Sequence, residues 1–429
     1  MPTEGHLSFL PQDETAVTTK ANTRIILKFF INNLINSHKI KEYLANKELS
    51  NYLHIAKTVG NQTFILKYKS QLGDLTQFIA EQNKLAPKIK NKLPQLHAAG
   101  GFINSRALEQ CTAETVANYK AQLIKGKKIL TLAAGIGIDD MALSKVCETL
   151  TAVDNDEDLN TLADYNFERM GIANIQRITQ TAEDFLQTNS ETYDAVYIDP
   201  DRRDGAQRQL LLAEHQPNVI ALLPQLLRIS NHVWIKCSPL YDIDMAVKEL
   251  EGISNIYIIS ERGEVKEMLL HITKNNTNEP IIHCTDIGAT ETKTVAFTNL
   301  AMPETTASAQ FYFYEAGASL VKARRHHTYA ASLGLNLLDK TVPFYTADIP
   351  HPSFMGKCMA IKNSFPINPK QIKLYLKAAG IHQINIKARG VKTDTTQLMK
   401  AIGVKEGGED FLFLTPLAGK QIAVHCTPL

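Results

Sequence analysis

The chain has 429 residues, 44% of them hydrophobic and 21% charged, with a formal net charge of +2. That length exceeds what one hydrophobic core organises, so two or three domains are expected, and the near-neutral balance restricts any nucleic-acid footprint to a local patch. Six cysteines with no C-x-x-C pair exclude a zinc knuckle and a disulfide framework, and no run of about 18 apolar residues marks a membrane span. The start, MPTEGHLSFL, lacks a cationic stretch followed by an apolar segment, so a cytoplasmic protein is expected. His326-His327, His351 and His283-Cys284 do not assemble a four-ligand metal set, so no metal is expected.

Residues 1–20 are polar. Apolar residues at helical spacing over 23–36 and 70–80, with Leu72, Leu75, Phe78 and Ile79 on one face, predict a helical N-terminal region ending near residue 110. Lys84, Lys88, Lys90 and Lys92 stand without compensating acids between 83 and 96, as either a solvated connector or a phosphate-contacting patch. Thr112 is placed as N-cap of a helix reaching about Leu123.

Residues 127–140, KKILTLAAGIGIDD, order a buried strand, a Gly135-x-Gly137 turn and a helix start. The next strand, 149–153, ends in Asp154-Asn155-Asp156 beside the same crevice, which makes a nucleoside pocket. A dinucleotide loop needs a third glycine where Asp140 stands, and Asp139 with Asp140 would repel a diphosphate. A cationic or zwitterionic ligand suits them better, and S-adenosylmethionine brings an amino group and a sulfonium while Asp154 accepts from its ribose. The stretch Leu132-Ala133-Ala134-Gly135-Ile136-Gly137-Ile138-Asp139 resembles the first motif of the class I methyltransferases. That resemblance implies an α/β, Rossmann-like seven-stranded core with S-adenosyl-L-methionine as cofactor, held by Ala133, Gly135, Gly137, Asp139, Asp154 and Asn155.

The strand and helix alternation continues: helices over 141–146 and 157–170, and a third strand over 175–178 reaching Thr181-Ala182-Glu183-Asp184. The resemblance gives Asp184 the adenine amino group, whereas Glu183 reads more simply as a cap of the following helix. A fourth strand, 193–198, runs into Asp199-Pro200-Asp201-Arg202-Arg203-Asp204, at the strand ends where open sheets bind ligands. Base-amino methylases resemble it with Asp-Pro-Pro and an aromatic; here Asp201 and Arg202 replace the last two, removing the ring that would stack on a flipped base. Asp199 and Pro200 remain to orient an acceptor. Arg202 and Arg203 either grip a phosphate or carboxylate or pair with Asp199 or Asp204. Strand 232–236 ends at Lys236, which either contacts an anionic substrate group or is solvated, while Cys237 reads as packing. A helix over 242–250 and strands over 254–260 and 267–271 complete seven strands.

A polar break after residue 273 precedes a small segment to about 349, with two short strands and then FYFYEAGASL and VKARRHH. Aromatics beside basic residues form a single-strand binding surface or, by the spacing of Leu320, Ala323 and Tyr329, one amphipathic helix. Residues 350–429 read as a β-α-β-α-β-β unit with Lys387, Arg389 and Lys392 in one loop and an acidic turn at 405–410. FYFYEAGASL, the 199–204 run, 234–240 and 398–414 together resemble a bacterial class I methyltransferase family, common in Bacteroidetes, with a ferredoxin-like segment and a THUMP-like C-terminal domain. This resemblance implies domains at 1–110, 111–273, 274–349 and 350–429, and structured RNA as the partner. A protein or small-molecule acceptor, and a protein that binds adenosylmethionine and RNA without catalysis, are the alternatives.

Overall fold

The computed structural model describes residues 37–200, 212, 215–298 and 300–429. The expected helix over 23–36 and the run Asp201-Arg202-Arg203-Asp204 lie outside the described residues.

The N-terminal region is helical, but residues 70–80 do not form one helix. The chain breaks between Asn61–Leu72 and Leu75–Lys92 at Gly73, whose φ of 53° ends the first helix. Leu75, Phe78 and Ile79 are buried as their spacing predicts. The lysine-rich stretch is no connector, because it is the second half of that 18-residue helix, with Lys84, Lys88 and Lys90 on its exposed side. Lys92 turns inward and donates to the carbonyl of Leu108 at 2.6 Å.

The central sheet has nine strands: β1 Lys128–Leu132, β2 Thr149–Asp154, β3 Ile175–Thr179, β4 Ala195–Ile198, β5 His232–Cys237, β6 Ile253–Glu261, β7 Glu264–Thr273, β8 Ile281–Ile287 and β9 Thr292–Phe297. Their order is β3-β2-β1-β4-β5-β7-β6-β8-β9. The first five are parallel and β7 lies antiparallel between β5 and β6. Strands β1 and β4 are buried on both faces, which is why they read as unbroken apolar runs. One face packs Ile129, Ala195, Tyr197 and Trp234 against the N-terminal helices, and the other packs Leu130, Val196, Val233 and Ile258. Between β2 and β1 on one hand and β4 on the other, the chain reverses direction across the sheet and opens a crevice at the carboxyl ends.

Two strands beyond the expected seven enlarge this sheet, since β8 pairs parallel to β6 and β9 closes the edge. The strands of residues 274–349 are divided between this sheet and a second one. Strands β10 Tyr312–Ala316, β11 Asn336–Leu337 and β12 Phe344–Ala347 join a second sheet with β13 Gly356–Pro366, β14 Asn385–Ala388, β15 Phe411–Leu417 and β16 Lys420–Pro428. In the aromatic run, Phe313 and Tyr314 are fully buried and belong to the core, whereas Phe311 is exposed and Tyr312 half-buried. The helix expected after it is two short ones, Ala318–Lys322 and His326–Ser332, parted at Arg324 with φ 55°. Arg324 is occupied by Asp242 and Asp244, at 3.2 and 2.8 Å.

Candidate active site

A cavity of about 870 Å³ opens at the carboxyl ends of β1, β2, β4 and β5, within the size range of small-molecule sites, about 300–1,000 Å³. Its rim is the turn after β1, where Ala133, Gly135 and Gly137 all adopt positive φ, at 53°, 55° and 81°. A side chain at 137 would meet the Phe167 ring 2.7 Å from its Cβ, so only glycine lets the turn close onto the helix Glu157–Arg169. The Asp154 carboxylate braces this turn. It accepts from the Gly135 N–H at 2.7 Å and from the Asp156 N–H at 2.9 Å, while lining the cavity beside Asn155.

Asp139 and Asp140 do not act as a pair. Asp140 points into the protein, where Arg177 meets its carboxylate at 3.0 Å with both side chains almost wholly buried. Burial lifts its carboxyl to about 6 against the opposing Arg177 charge. Arg177 also donates to the Gly135 carbonyl at 2.6 Å and to Asn160, so this buried pair supports the turn from below. Only Asp139 of the two lines the cavity.

Asp139 belongs to a buried charge cluster assembled from five elements. Lys120, on the helix Glu114–Leu123, lies 2.9 Å from Asp139 Oδ2, 2.9 Å from Glu267 Oε1 and 2.8 Å from the Tyr197 hydroxyl, which itself donates to Asp139 at 2.8 Å. Thr112 is no helix cap, a place taken by Ala113; its hydroxyl points into this cluster, 3.2 Å from Asp139 and 3.4 Å from Glu267. At the end of β5, Lys236 pairs with Asp199 at 2.6 Å and is not solvated. Burial disfavours the Lys236 charge, but Asp199, Glu267 and Asp139 outweigh it and hold the ammonium above the usual lysine range. Burial likewise works against Asp139, and Lys120 with Lys236 reverses it, keeping that carboxyl below its ordinary value. Glu267 goes the other way, pushed up by burial despite the same two lysines. Cys237 is buried and its thiol pushed up by that burial, as packing requires.

After β3 only one of the two adjacent acids faces the cavity. Thr181 caps the following helix by accepting from the Asp184 N–H, Glu183 lines the cavity, and Asp184 does not. Asp199, Pro200 and Lys236 line the opposite end. Arg202 and Arg203 lie outside the described residues. Sequence reading missed the wall formed by Asn104, Glu109 and Gln110, and also Lys120, Tyr197 and Glu267, which are buried polar groups with no motif around them. Seven carboxylates and three basic side chains are found among the described lining residues, a balance that disfavours a diphosphate.

Residues 106–222 match the family described as Conserved hypothetical protein 95, and residues 356–428 match the THUMP domain-like family. A crystal structure of a candidate methyltransferase from Porphyromonas gingivalis W83 superposes with a TM-score of 0.80 over 90% of this chain and 98% of that one, at 24% identity. The chain has the class I methyltransferase fold. Two uncharacterised S-adenosylmethionine-dependent methyltransferases of Mycobacterium tuberculosis, from strains CDC 1551 and H37Rv, are each 29% identical over 208 residues. That stretch is 47% of this chain, which spans about half (55%) of the length of these curated relatives. No helix among the described residues is long and apolar enough to cross a membrane, and no group of three or more His, Cys, Asp or Glu there is arranged to hold a metal.

Proposed function

We propose that the protein is an S-adenosylmethionine-dependent methyltransferase whose acceptor is RNA. The observation that carries the first part is the cavity itself: a glycine turn braced by Asp154 at one side and an acceptor-facing Asp199 at the other, with an acidic lining between. Asp154 and Asn155 fit a ribose and Glu183 an adenine amino group, while Asp139 fits the cationic methionine end. The bound cofactor supplies an activated methyl on a sulfonium. The chain's residues hold the acceptor in line with it and exclude water. Asp199, fixed by Lys236, accepts a hydrogen bond from the acceptor group and takes its proton as the methyl arrives. The names of the mycobacterial relatives support the same cofactor.

RNA as acceptor rests on the THUMP domain-like match at 356–428. Of the loop charges, Lys387 is committed to Glu315 at 2.7 Å, so Arg389 and Lys392, both exposed, carry any phosphate contact. The test is transfer of labelled methyl from S-adenosylmethionine into RNA, protein and small-molecule fractions of cells lacking the gene. Label entering RNA, and falling when Arg389 and Lys392 are both changed to Glu, supports the reading; label confined to protein or a metabolite ends it.

A further inference from the structure

The cavity floor carries more negative than positive charge. Among the described residues, Lys120 and Lys236 face three carboxylates, Asp139, Asp199 and Glu267, and Tyr197 and Thr112 add only neutral hydroxyls. Glu267 is 3% exposed and lines the cavity. Its Oε1 has no aligned hydrogen bond, although Lys120 is near, and Asp139 Oδ1 has none either. Lys120 lies 2.9 Å from both Glu267 and Asp139, so two buried carboxylates share that ammonium, and a further cation brought beside them relieves the cost of burying the second charge. Any methyl donor spanning the ribose end at Asp154 and the acceptor end at Asp199 places its transferable methyl, and so its sulfonium, over this floor.

Resting on the reading of the site as an adenosylmethionine pocket, we propose that Glu267, held by Lys120, is the counter-charge by which the cavity selects the cationic donor over its neutral thioether product. Transfer breaks the carbon–sulfur bond with its electron pair left on sulfur, and the acceptor's pair forms the new bond. The positive charge thus leaves the sulfur, and S-adenosylhomocysteine stays behind with nothing to offer the surplus carboxylate. Product release is thereby built into the floor of the site. Lys120 is a positioning residue here, since its ammonium touches Asp139, Glu267 and Tyr197 rather than the reacting atoms.

The same arrangement sets a pH signature. Burial pushes the Glu267 carboxyl up in the ligand-free protein, and a sulfonium beside it favours the ionised form, so donor binding releases a proton where that carboxyl is still protonated. The affinity ratio of donor to product therefore rises with pH and then levels.

Calorimetric titration of the full chain with S-adenosylmethionine and with S-adenosylhomocysteine, across pH, tests this. The wild type should bind the donor about tenfold more tightly than the product at the plateau. Glu267→Gln should bring the ratio close to one and flatten its pH dependence, with homocysteine-ligand affinity and a cooperative melt retained. Equal or tighter binding of the product by the wild type overturns the inference and leaves the cofactor assignment standing. Binding of neither ligand overturns the assignment itself. If Glu267→Gln does not fold, the wild-type ratio and its pH course decide alone.

Discussion

Lys236 Nζ stands 2.6 Å from Asp199 Oδ2 and ties the end of β5 to the end of β4 at one end of the cavity. Neither partner reaches the other by local sequence, since 37 residues separate them. The pair keeps Asp199 in one orientation beside a fixed cation.

Asp199→Asn is accordingly expected to lower methyl transfer by about a hundredfold or more while S-adenosylhomocysteine still binds. Lys236→Met should act in the same direction by releasing Asp199. Single-turnover transfer and calorimetry, run on the same preparations, separate the two effects. Loss of cofactor binding in either variant would place the pair in the scaffold of the nucleoside pocket instead.

The glycine turn offers a contrast between two neighbours. Gly137→Ala forces a Cβ to within 2.7 Å of the Phe167 ring at a φ of 81°, whereas a Cβ at Gly135 meets nothing within 4 Å. Both substitutions strain the backbone, at about 1–3 kcal/mol each for a non-glycine residue in that region. Only the first also clashes, so thermal melts should rank Gly137→Ala well below Gly135→Ala. An inverted ranking would mean the turn is set by something other than its packing on Phe167.

Asp154→Ala should weaken S-adenosylhomocysteine by roughly tenfold or more, because it removes a cavity carboxylate and frees the Gly135 and Asp156 N–H groups together, each buried bond being worth about 1 kcal/mol. Asp154→Asn retains one acceptor oxygen and should fall between. If the alanine variant binds the ligand as the wild type does, the turn is not held from β2.

Asp140 gives a prediction for stability. Its folded carboxyl, lifted to about 6 by burial, lies above the usual unfolded value, so the protein binds more protons folded than unfolded. That contribution is complete below about pH 4 and is lost as pH climbs to about 6. Urea unfolding at pH 4, 5 and 6 should show the decline, and Asp140→Asn should remove it. Arg177→Met, by stranding a buried carboxylate, should cost about 3–5 kcal/mol, and Arg177→Met with Asp140→Leu should recover part of that. A single variant as stable as the wild type would contradict the burial argument.

The parallel strands, the glycine turn and the acids that follow β2 and β4 were legible because each is a local pattern: an apolar run, then small residues, then charge. What joins them was not. Lys120, Tyr197 and Glu267 meet across 77 residues in one case and well over a hundred in another, and buried charge leaves no mark on local hydrophobicity. Thr112 looked like a cap because threonine before a helix usually is one; here its hydroxyl serves the cluster. Asp139 and Asp140 looked alike in the chain, and only the helix start sends one to the cavity and the other to Arg177. The second sheet's capture of β10 from the middle segment was equally hidden, since pairing to β13 spans a helix pair and two other strands.

The central claim, that the turn after β1 and the acidic cavity hold a sulfonium nucleoside, is tested most directly by titrating the full chain with S-adenosylmethionine and, separately, with NAD. Saturable binding of S-adenosylmethionine, with NAD bound far more weakly or not at all, is the predicted result. Tight NAD binding with no response to S-adenosylmethionine would contradict it.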